Sequence, residues 1–67
     1  MNRSEVIRDL HEEIVTLTRL HIQYGLHETE GFQTQKESIE TLIRDHKVDL
    51  RTELDPLALN LYRRYFG

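Results

Sequence analysis

The sequence predicts an all-α protein: an antiparallel helical hairpin followed by a short C-terminal helix. Three observations point there. Apolar residues recur at steps of three and four over residues 7–24. A second stripe of the same period runs over 32–54. Asp55-Pro56 then punctuates the chain ahead of a short apolar run.

Helix 1 is expected over about residues 3–24. Ile7, Leu10, Ile14, Leu17, His21 and Tyr24 fall on the a/d seam of a heptad, and Val6, Val15, Leu20 and Ile22 widen the stripe. Arg8, Asp9, Glu12, Glu13, Thr16, Arg19 and Gln23 lie mostly on the other side. Asn2 or Ser4 can cap the start, and Asn2 with Glu5 has the spacing of a capping box. Gly25 suits the left-handed residue just past the helix, with Leu26 placed to fold back on the last turn.

Helix 2 is expected over about residues 30–53. Thr34 and Thr29 compete as its cap. The earlier start is preferred because Phe32, Ile39, Ile43, His46, Leu50 and Leu54 then continue one stripe, broadened by Leu42. Lys36 with Glu40, and Glu40 with Arg44, are i,i+4 pairs on the opposite face. Helix 3 is expected over about residues 56–65. Asp55 is a good N-cap, and proline fits the first helical position while disfavouring helix just before it. Arg63 and Arg64 suit the negative end of that helix dipole.

The chain of 67 residues makes one domain, 1–67. A chain of this size buries only about 60% of its unfolded surface. Ordering costs roughly 1.5 kcal/mol per residue, which leaves little net stability for a lone copy. Cysteine is absent, so no disulfide can help, and a reducing cytoplasm is the expected compartment. Association is the remaining route. The stripes on helices 1 and 2 look wider than a two-helix seam needs, so Val15 and Ile22, or Leu42 and Leu50, would stay wet in a single copy. A dimer resembling a four-helix bundle is therefore expected, with Ile7, Leu10, Ile14, Leu17, His21, Ile39, Ile43 and Leu50 as its self-association residues. The alternative is a three-helix monomer whose last helix closes the core.

Charge and length disfavour several function classes. Nine basic against twelve acidic residues give a net charge of −3, the wrong sign for a typical nucleic-acid face. No apolar run approaches the roughly 20 residues that span a bilayer. The start, MNRSEVIRDLHEE, turns acidic where a secretion signal turns apolar. Three scattered glycines build no phosphate loop, and Ser4 and Ser38 lack the setting of a nucleophile. His11, His21, His27 and His46 show no i,i+4 pairing, so no metal or cofactor is expected. His21 and His46 fall on inner stripes, where protonation near pH 6 would weaken an interface. The C-terminal run offers a different chemistry. Tyr62, Arg63, Tyr65 and Phe66 are residue types enriched at binding hot spots, and they are the expected partner-binding residues. They could equally close the hairpin core.

Two stretches resemble signalling proteins. His11-Glu12 followed by Leu17-Thr18 is similar to the phospho-acceptor box of histidine-kinase dimerisation domains, although Val15 and Thr16 stand where that family has its proline. Tyr24-Gly25-Leu26 and Ile39-Glu40-Thr41-Leu42-Ile43 look like the layout of small helical aspartyl-phosphate phosphatases that act on response regulators. That family's Ser-Gln-Glu-Leu-Asp signature is replaced by Lys36-Glu37-Ser38-Ile39-Glu40. These resemblances imply an alternative role as a phosphotransfer accessory, with His11 or Glu40 as the reactive group. Small secretion chaperones share the size and hairpin form, and a nucleic-acid-associated regulator is a remoter option. The reading preferred from the residues is a non-enzymatic, cytoplasmic, homodimeric module that binds another protein and has no catalytic residues.

Overall fold

Helix α1 (Arg3–Ile22) begins where the Asn2 side chain accepts a hydrogen bond from the Glu5 N–H at 3.0 Å. That bond satisfies one of the donors a helix start leaves open. In this computed structural model, which describes residues 2–25 and 29–67, all regular structure is helical and falls into four helices. The remaining three are α2 (Glu30–His46), α3 (Leu50–Glu53) and α4 (Pro56–Phe66).

α1 ends at Gly25. Its φ of +64° is the left-handed conformation, and its N–H bonds the His21 carbonyl at 3.1 Å. The proposed fold-back of Leu26 lies outside the described residues, as does His27. α2 takes the earlier of its two candidate starts. Thr29 is the N-cap, accepting from the Phe32 N–H at 3.3 Å, and Gly31 falls in the first turn.

The second stripe does not run as one helix to residue 53. α2 stops at His46, and Lys47 turns left-handed with φ 51° and ψ 51°. The Lys47 N–H bonds the Arg44 carbonyl, and the Val48 N–H bonds the Ile43 carbonyl at 3.0 Å, the paired bonds of a Schellman ending. Asp49 then caps α3 through the Arg51 N–H, while the Glu53 carboxylate reaches back to the Asp49 N–H at 2.7 Å. The break has a physical return. A non-glycine residue in the left-handed region costs about 1–2 kcal/mol. Burying an aliphatic side chain is worth about 1.5–3 kcal/mol, and the break buries Val48 and Leu54.

α4 follows its cap closely. The Asp55 carboxylate accepts from the Ala58 N–H at 2.9 Å and Pro56 sits at the helix start. The core is Val6, Leu10, Ile14 and Leu17 from α1, Phe32 and Ile39 from α2, Val48 and Leu54 from the connections, and Ala58 from α4. α1 packs against both α2 and α4. Arg3 meets the His46 and Lys47 carbonyls, and Glu13 meets Gln35 and Ser38. α4 therefore closes the chain's own core. The seam on α1 is also rotated at its start, with Val6 buried and Ile7 only half-buried. Tyr24 lies past the helix end and is exposed.

Candidate interaction surface

The residues expected to mediate self-association are mostly occupied within the chain. Leu10, Ile14, Leu17 and Ile39 have no exposed surface. Ile7, Ile43 and Leu50 are half-buried against the same core. His21 is half-buried at the end of α1, its Nδ1 2.8 Å from the Tyr65 hydroxyl. Of the residues expected to stay wet, Leu42 and Leu50 pack partly against the core, whereas Val15 and Ile22 do face solvent.

The C-terminal aromatic cluster is likewise turned inward. The Tyr65 ring meets His21 edge-on at 5.4 Å and Phe32 edge-on at 5.7 Å between centroids. Tyr62 and Phe66 stack at 4.4 Å, and the Lys36 ammonium lies 5.0 Å from the Phe66 centroid. Aromatic pairs in these geometries add about 0.5–1.5 kcal/mol beyond their burial. Burial, with the Glu40 carboxylate adding to it, pushes the Tyr62 phenol above its ordinary pKa. Among the four expected partner-binding residues, Arg63 alone is exposed, with Tyr62, Tyr65 and Phe66 half-buried.

What remains outside is a different set. Val15 is 42% exposed, Ile22 64%, Tyr24 65% and Leu57 71%. Val15 and Ile22 are seven residues apart and share one line along α1. Leu57 is the second residue of α4, two after Asp55, whose carboxylate lies 3.3 Å from the His11 imidazole. An open groove on α1 is lined by His11, Glu12, Val15, Thr16 and Arg19. The Thr16 hydroxyl is committed to the Glu12 carbonyl at 2.9 Å.

A second polar cluster ties the chain together at its other end. Arg3 grips the Glu53 carboxylate with two hydrogen bonds, Nε to Oε1 and Nη2 to Oε2, each 2.6 Å. The same guanidinium donates to the His46 carbonyl and, at 3.0 Å, to the Lys47 carbonyl. The Arg3 hydrogen bonds, then the Asp49 N–H, hold the Glu53 carboxyl below its usual pKa range. The partnership raises the Arg3 pKa further. No local pattern flags this clasp, because its partners are 43 to 50 residues apart in sequence.

Among the described residues, no cluster of three histidine, cysteine or acidic side chains is placed to hold a metal, and no buried side-chain nitrogen or oxygen lacks a partner. No described helix is long and apolar enough to cross a membrane. Glu40 is exposed on α2, and Ser38 donates to Glu13. No protein-family model, curated protein or solved structure matches the chain.

Proposed function

We propose that this protein is a small non-enzymatic helical interaction module that pairs with itself and binds another protein. In this reading α1 and α2 form an antiparallel hairpin, and α4 lies along its groove. Arg3 at the start of α1 touching the end of α2 supports the antiparallel sense, as does Glu13 meeting Gln35 and Ser38 midway. The observation that carries the reading is the set of large apolar side chains left outside a core that is already closed: Val15 and Ile22 along one line of α1, with Tyr24 just past that helix and Leu57 in the first turn of α4. Apolar side chains grouped on one side of a small protein mark contact surfaces, whereas isolated ones are ordinary.

The self-association surface in this reading lies outside the core residues. A pairing through Leu10, Ile14, Leu17 and Ile39 would require the chain to open, at a cost of several buried side chains of about 1.5–3 kcal/mol each. Sedimentation across the micromolar range tests the proposal. The expected result is a mass that rises from 8.1 kDa toward twice that value. A mass fixed at one chain would overturn the homodimer. The phosphotransfer alternative has one observation in its favour, a partly exposed His11 set against the Asp55 carboxylate. Incubation with a phosphorylated response regulator separates the two: an interaction module neither takes phosphate on His11 nor speeds its loss from the regulator.

A further inference from the structure

The outer face of α1 carries a charge pattern complementary to its own reverse. Glu12 and Arg19 are exposed and seven residues apart, two helical turns or about 10 Å. Val15 and Thr16 lie between them, also exposed, and these four line the groove with His11. Among the described residues neither Glu12 nor Arg19 takes part in an ion pair. Reversing the helix about the midpoint of Val15 and Thr16 exchanges position 12 with position 19 and position 15 with position 16.

We propose that two copies of this chain pair through α1, antiparallel, about a two-fold axis between Val15 and Thr16. The proposal rests on the homodimer reading above and names its surface. A two-fold axis makes every contact occur twice. Glu12 of each copy then faces Arg19 of the other, so one interface holds two opposite-charge pairs flanking a small centre. Valine and threonine at the crossing allow the usual 8–10 Å approach of packed helices. Burying Thr16 leaves no hydroxyl unsatisfied, because its Oγ1 already donates within α1. A second copy is favoured over an unrelated partner because the acid and the base are placed symmetrically about the small Val15–Thr16 centre. This face uses none of the core residues, so pairing needs no opening of the chain.

Charge reversal tests the arrangement. Glu12→Arg alone, or Arg19→Glu alone, sets like charges opposite each other twice and should weaken the dimer by roughly tenfold or more. The double variant E12R/R19E restores opposite charges and should recover wild-type association. An equimolar mixture of the two single variants should form heterodimers more tightly than either forms homodimers. Both positions are exposed, and circular dichroism checks that helicity is kept. Val15→Cys gives an independent readout in a chain without cysteine: mild oxidation should link two copies, while Asn60→Cys on the outside of α4 should not link. A monomeric wild type would overturn the homodimer reading itself. A dimer that ignores the single reversals, or that the double variant fails to rescue, would leave that reading standing and overturn this surface.

Discussion

Arg3 sits at the first residue of α1 yet holds together parts of the chain far from it. Its guanidinium bridges the Glu53 carboxylate and the last carbonyls of α2, groups that a helix end leaves without internal partners. Arginine suits this role because its planar fork engages both carboxylate oxygens at once, which a lysine ammonium cannot do. The clasp also has a pH signature. Glu53 is held below its unfolded pKa, so its contribution is present above the unfolded value, near 4.5, and is lost as pH falls through the lower folded value. Glu53→Gln removes the titrating group. The melting temperature of the wild type should therefore drop more steeply than that of E53Q on acidification from pH 5 to pH 2.5, as measured by circular dichroism. Equal slopes would show that Glu53 is not a source of acid sensitivity. Tyr62 works in the opposite direction: its raised pKa means that whatever it contributes is held up to about pH 10 and lost above it.

At the level of helices, each boundary follows from a local chemical device. Asn2, Thr29, Asp49 and Asp55 each accept a backbone N–H at a helix start, and Gly25 and Lys47 each turn left-handed at a helix end. Of these, Lys47 is the strained one. Lys47→Gly keeps the Schellman bonds, relieves the left-handed cost, and should stabilise the fold by about 0.5–1 kcal/mol in urea unfolding. No change, or a loss, would mean that the lysine stem contributes packing that offsets its backbone cost. The same position explains what was legible in the sequence. The starts at Asn2, Thr29 and Asp55 and the stop at Gly25 are all written in residue types with a known preference. The stop at Lys47 is not. Leu50 and Leu54 keep the spacing of the stripe begun by Phe32 and Ile39, so periodicity runs straight through the break. The one local signal is Asp49 followed by Glu53, a reciprocal cap one residue longer than the usual box. Val48 is invisible to a helical stripe because it enters the core from the break. The inward turn of Tyr62, Tyr65 and Phe66 was open in the sequence too, since the residues that make hot spots also make cores. The contacts with His21, Phe32 and Lys36 show the core-facing role and leave each ring half-exposed.

For the molecule as a whole, the question is what the α1 stripe is spent on. A chain of 67 residues has a total stability of about 3–10 kcal/mol at the usual 0.05–0.15 kcal/mol per residue. Ile14 is fully buried among the chain's own helices. Truncating such a residue to alanine costs about 2–5 kcal/mol. Ile14→Ala should therefore remove much of the fold, and no increase in protein concentration within the micromolar range should fully restore it. Val15 is the next residue but points to the outer face, where substitutions usually shift stability by no more than about 0.5 kcal/mol. Val15→Ala should keep the single-chain fold and change only how its melting depends on concentration. Binding linkage supplies the sign: a dimer that dissociates on unfolding melts higher as concentration rises, and a variant that cannot pair loses that dependence. Thermal melts at two well-separated concentrations, paired with sedimentation of the same samples, distinguish the two positions. A folded but strictly monomeric I14A would return Ile14 to the role of an association residue and would mean that the core does not depend on it. An unfolded V15A would place Val15 inside the fold and leave α1 without a free face for a second copy.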